Sequence, residues 1–171
     1  MALRLNGSTS GYVELNAPAV AGSTSLTVPF GVIQVVQDST STQSSVINTT
    51  AWQDGDLSAT ITPVAAGSSI LVIVSQYLYS LNGGISYTAN YLKLRRGTTD
   101  LATWSNSLYV NFGGGAHAEG DNTSVNYLDT PTYTVGNSIS YNTQVRADST
   151  ASSTLTWNTY HSTLTLMEIA A

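Results

Sequence analysis

Residues 57–81 read LSATITPVAAGSSILVIVSQYLYSL, and this stretch decides the fold class. Leu57, Ala59 and Ile61 alternate with Ser58, Thr60 and Thr62, the period of a strand with one face in a core and one in water. Pro63 and Gly67 then interrupt the chain, because proline cannot donate to a ladder and glycine tolerates turn geometry. The following run, Ile70 to Val74, is apolar on both parities and rich in β-branched residues. The Gly-Ser-Ser approach and the alternating Tyr77 and Tyr79 predict a strand rather than a helix, buried on both faces at the centre of a sheet sandwich.

Outward from this stretch the chain offers only strands and breakers. On the N-terminal side, Val32 to Val36 and Val46-Ile47 precede an Asp54-Gly55-Asp56 turn. On the C-terminal side, Asn82-Gly83-Gly84 predicts a tight hairpin into a strand from Ile85 to Arg95. Two short strands, 99–104 and 107–112, come next, then a polar glycine-rich loop over 113–122. Strands over 124–128, 138–147, 155–157 and 163–169 complete the pattern. Strand runs at such spacing with no helical period predict an all-β antiparallel sandwich, a jelly roll first and an immunoglobulin-like sandwich second. The predicted core is Ile61, Leu71, Ile73, Ile139, Tyr141, Val145, Leu164 and Leu166.

Residues 1–30 differ from this body. Leu3 and Leu5, then Tyr12, Val13 and Leu15, then Leu26 and Val28 mark short β-like pieces between Asn6-Gly7, Pro18, Gly22 and Pro29. None is long enough to bury a core alone. The expectation is an N-terminal attachment arm, 1–30, that pairs with a larger assembly by strand addition, followed by a sandwich domain, 31–171.

Composition narrows the function classes. Charged residues are 9% of the chain, against about 25% in ordinary soluble proteins. Lys93 is the only lysine, and Ser and Thr together exceed a quarter of the residues. A net charge of −5 and a basic cluster limited to Lys93, Arg95 and Arg96 argue against nucleic-acid binding. No window reaches the ~18 apolar residues of a membrane span, and the N-terminus has no apolar signal core. Without cysteine there is neither a disulfide framework nor a thiolate site.

Motifs for chemistry are few. His117, Glu119 and Asp121 alternate as metal ligands can, but glycines give them no rigid support, and a solvated loop tip is the expected role. His161 flanks the last strand with no nucleophile elbow nearby, and Gly113-Gly114-Gly115 lacks the lysine and helix of a phosphate loop. No enzyme, metal or cofactor is expected. The chain does carry a binding vocabulary: Tyr77, Tyr79, Tyr87 and Tyr91 flank the predicted hairpin amid Ser and Asn.

The first 29 residues, MALRLNGSTSGYVELNAPAVAGSTSLTVP, resemble the opening of short fibre-like virion proteins of tailed phages, especially those of marine cyanobacteria. Further pieces resemble the C-terminal jelly-roll modules of those proteins: Val32-Ile33-Gln34-Val35, Ile61-Thr62-Pro63 with Ser69 to Val72, Leu94 to Thr98, and Leu164 to Ile169. The resemblance implies a virion structural protein, a short tail fibre or surface spike held by its N-terminal arm and touching host envelope polysaccharide or protein. It also implies a homotrimer, in an arrangement similar to the tumour necrosis factor superfamily, with Phe112, Trp157 and the tyrosines supplying contact area. Pro29 runs almost directly into the body, so no long shaft is expected. A capsid decoration protein and a carbohydrate-binding module are the alternatives.

Overall fold

The computed structural model describes residues 3–6, 12–15, 31–83, 87–111, 116–148 and 153–171, with side chains over 31–81, 89–105, 117–148 and 154–171. No helix occurs among the described residues. The strands are β1 (Leu3–Asn6), β2 (Tyr12–Leu15), β3 (Val32–Thr40), β4 (Gln53–Ile61), β5 (Ser69–Gly83), β6 (Tyr87–Arg96), β7 (Thr99–Asn111), β8 (Ala116–Asp129), β9 (Ile139–Ala147), β10 (Ser153–Trp157) and β11 (Ser162–Ile169).

Two antiparallel sheets form a sandwich. In the first, β5 pairs with β8 on one side and with β11 and then β10 on the other, and β3 lies beyond β11. The second runs β4-β9-β6-β7. The pairs nest in sequence: β6 with β7, β5 with β8, β4 with β9, β3 with β11. A long hairpin folded across two sheets in this way is a jelly roll, the first of the two expected sandwiches. Gly97, at φ 56°, sits in the turn at the hairpin's tip, where a β-carbon would be strained.

The core lies between the sheets. Ile70, Val72, Val74, Leu78, Leu155, Leu164 and Leu166 meet Leu57, Ala59, Ile61, Leu92, Leu94, Tyr141 and Val145, all essentially inaccessible to water. Each of the larger side chains contributes about 1.5–3 kcal/mol through burial. The alternation read at Leu57, Ala59 and Ile61 holds, with Ser58 and Thr60 exposed. Tyr141, Val145, Leu164 and Leu166 are also where the pattern put them.

Several expectations change. The strand at 70–74 is central but not buried on both faces: Ile70, Val72 and Val74 point inward, whereas Ile73 is 37% exposed and Leu71 half-buried on the outer side. Asn82-Gly83 does not lead into a hairpin, because both edges of β5 are already taken and β6 belongs to the other sheet. Residues 99–111 form one bulged strand in place of two short ones. The expected polar loop is largely strand, with β8 starting at Ala116. Asp54-Gly55-Asp56 is a bulge inside β4 rather than a turn before it. Finally, β1 and β2 pair with each other, Leu3 opposite Leu15 and Leu5 opposite Val13, so each has one ladder edge filled within the chain.

Candidate interaction surface

The outer faces of the two sheets differ in chemistry. On the first sheet the register aligns Leu128 (β8), Leu71 (β5), Met167 (β11) and Val35 (β3) in one row across four strands. Leu128 is 57% and Val35 54% exposed. The next row is Asn126, Ile73, Thr165 and Gln37, and the next Ser124, Ser75, Thr163 and Ser39. Gln37 Nε2 donates to Thr165 Oγ1 at 2.8 Å, so that part of the surface is internally bonded. Beyond these rows β5 presents Tyr77, Tyr79 and Leu81. The Tyr77 ring lies edge-on to Tyr160, centroids 4.8 Å apart, and passes over Gly120. A β-carbon at Gly120 would lie 2.1 Å from the Tyr77 hydroxyl. Burial, and then the neighbouring Tyr160, push the Tyr77 hydroxyl above its ordinary range, so it stays neutral.

Alternation puts every charged residue of these strands on the other parity. Asp38 accepts from the Ser58 N–H, Glu168 is fully buried, Asp129 receives two hydrogen bonds from Arg96 and one from Tyr141 Oη, and Glu119 and Asp121 of β8 are exposed near Tyr77. Among the described residues, the outer face of the first sheet therefore carries no Asp, Glu, Lys or Arg.

The second sheet carries the cations. Lys93 and Arg95 both bond Asp100 at 2.8 Å, and the Lys93 hydrogen bond above all holds the Asp100 carboxyl below its usual range. Lys93 Nζ sits 4.1 Å from the centre of the Trp52 ring, and the Arg146 guanidinium 4.0 Å from that of Tyr91. Tyr91 Oη in turn donates to Asp148. Each cation here is covered by an aromatic or a carboxylate, which fastens the segment before β4 to the sheet and leaves little for a ligand to replace.

The tyrosines predicted to share a hairpin are thus separated: Tyr77 and Tyr79 lie on the first sheet's outer face and Tyr91 on the second's. Tyr87 is placed in β6 by its backbone alone; its side chain, Phe112, and the arm residues Leu26 and Val28 lie outside the described residues, as do the side chains of Leu3, Leu5, Tyr12, Val13 and Leu15. Trp157 is 5% exposed, and its indole donates to Asp56 Oδ2 at 2.7 Å, which makes it a core residue and no part of a contact surface. His117, Glu119 and Asp121 share one side of β8, with His117 Nε2 3.5 Å from Glu119 Oε2. No group of three or more His, Asp or Glu residues that could hold a metal occurs among the described residues. No described helix is long and apolar enough to cross a membrane.

Sequence reasoning missed the row of Leu128, Met167 and Val35. Each adjoins inward-facing apolar residues of its own strand, Val36, Leu166 and Tyr127, and only the register brings the three side by side.

No family model matches the chain, and no curated protein matches it. Among solved structures it is similar to a chain of the T13 particle of infectious bursal disease virus, at 14% identity and a TM-score of 0.40, covering 94% of this chain and 42% of that one. The Gx strain of the same virus gives 14% identity and 0.39, covering 94% and 43%. T=1 particles derived from that virus give 12% and 0.27, covering 98% and 44%. The chain thus spans less than half the length of these proteins.

Proposed function

We propose that this chain is a non-enzymatic structural subunit of a virus particle, a short phage tail fibre or surface spike. The jelly roll of residues 31–171 is the displayed body, residues 1–30 attach it, and three copies associate into the mature unit. The body meets the host envelope, at a polysaccharide or a protein. The observation that carries this reading is that, among the described residues, the sandwich is formed by β3 to β11 while β1 and β2 ladder only to each other. The opening stretch that resembles phage fibre proteins is therefore separate in pairing from the body, as an attachment arm requires. A polar, hydroxyl-rich, charge-poor body agrees with a component that works as rigid architecture.

Deleting residues 1–30 tests the attachment role. The truncated protein is expected to fold and to be missing from purified particles in an immunoblot; normal incorporation would remove the arm from the proposal. A capsid cement protein is the second reading, favoured by the broad neutral face of the first sheet. Particles lacking a cement protein release nucleic acid at lower temperature, whereas particles lacking a fibre keep their heat resistance and lose adsorption.

A further inference from the structure

We infer that the charge-free outer face of the β8-β5-β11-β3 sheet is the surface on which identical copies of this chain pack against one another. The inference deepens the proposed structural role and rests on it, by assigning the contact to one face and one partner. Three observations bear on it. The row Leu128, Leu71, Met167 and Val35 runs from one edge of the sheet to the other, with Ile73, Tyr79 and Leu81 continuing the apolar character along β5. Such a contiguous apolar row on a sheet face is unusual where water is the permanent neighbour.

The second observation is charge. A partner bringing charges to this face would strand them without counter-charges, at a cost of several kcal/mol per buried ion. A matching surface must be equally neutral, and this chain supplies one on every copy. With a net charge of −5, copies approaching by acidic regions repel, and repulsion is weakest on this face, whose neighbouring exposed carboxylates, Glu119 and Asp121, stand only at its Tyr77 end. The third observation is size. Four strands at ~4.8 Å span about 19 Å over the roughly 24 Å of Ser69–Ser75, and three strands, β8, β5 and β10, continue for about 14 Å by 14 Å over Leu78–Leu81. That is roughly 600 Å² before side-chain relief, near the ~800 Å² per partner of a stable interface.

Orientation across so neutral a face comes from shape rather than from ion pairs.

The test is the mass of the full-length protein by light scattering from about 1 to 100 μM, for the wild type and three variants. The double variant Val35→Glu/Leu128→Glu places charge at two exposed positions of the apolar row. Asn126→Asp adds charge on the same face with almost no change of shape, and keeps the test decisive if the double variant fails to fold. Thr103→Glu, exposed on the second sheet, is the control. The expected result is a multi-chain mass for wild type and Thr103→Glu, a monomer for the double variant, and at least a tenfold higher dissociation constant for Asn126→Asp. A monomeric wild type at 100 μM, or an Asn126→Asp assembly as tight as wild type, overturns the inference. A monomer that still labels particles sinks only the self-packing face; an assembly absent from particles sinks only the virion role.

Discussion

Glu168 is the residue on which one end of the sandwich depends. Its side chain is fully buried, yet it accepts from Gln34 Nε2 at 2.6 Å and from the N–H groups of Val64 and Ala65 at 3.1–3.2 Å. Burial alone would push its carboxyl up, but the hydrogen bonds from Gln34, Ala65 and Val64 outweigh it and hold the group below its ordinary value. The carboxylate thus ties the loop after β4 to β3 and β11. Glu168→Gln keeps the shape but turns an amide donor toward groups that are themselves donors, so a loss of about 1–3 kcal/mol is expected. At ~2–4 °C per kcal/mol for a chain of this size, thermal melts would show a drop of several degrees. The pH dependence has a defined sign. A carboxyl with a lowered pKa in the fold stabilises fully above its unfolded value and loses that contribution as pH falls through the folded one. The wild-type advantage over Glu168→Gln is therefore expected to be constant above about pH 5 and to shrink below about pH 4.

At the scale of elements, the bulge in β4 joins the two sheets. Asp56 takes φ 60°, a left-handed conformation that Asp tolerates better than most residues, and its N–H is held by Asp54 Oδ1 at 3.0 Å. The Gly55 carbonyl accepts from Gln76 of β5 and from Asn158 Nδ2 at 3.1 Å, both side chains fully buried. A β-carbon at Gly55 would stand 2.2 Å from Thr143 Oγ1 and 3.1 Å from the Thr143 carbonyl carbon, so relief requires β4 and β9 to part. Gly55→Ala is expected to cost about 1–3 kcal/mol as an overpacked contact, read as a lower denaturant midpoint at unchanged slope. Ala at Gly31 meets nothing within 4 Å and is the matching neutral substitution. Sequence made Asp54-Gly55-Asp56 look like an ordinary turn. A bulge and a turn use the same residue types, and only the pairing of Gln53 with Val145 and of Ser58 with Asn142 separates them.

For the whole molecule, the nested pairs make every ladder of the sandwich long-range except the β6–β7 hairpin at the tip, out to β3–β11 at the base. Since those ladders lie within residues 31–171, the isolated body is expected to melt within about 2 °C of the full chain at equal concentration. A loss above about 5 °C would mean that residues 1–30 stabilise the sandwich. Topology of this kind folds slowly, so refolding from denaturant is expected on the millisecond-to-second scale or longer, which stopped-flow fluorescence of Trp157 and Trp52 would follow.

Alternation in 57–61, 139–147 and 162–169 was by itself enough to determine that the protein is all-β and which positions of those strands face a core. These are local properties, because side chains on a strand alternate whatever the strand pairs with. The sequence also supplied the jelly roll as the preferred sandwich, but strand order belongs to contacts between residues far apart in the chain. Tertiary structure alone decided that Ile73 and Leu71 face outward, that Trp157 is core, and that Tyr77 and Tyr91 lie on opposite faces. An apolar run such as Ile70 to Val74 has two possible inward parities, and nothing within it chooses between them. The choice falls to the register with β8 and β11, which sets Ile70, Val72 and Val74 against the other sheet and leaves Leu71 in line with Leu128, Met167 and Val35.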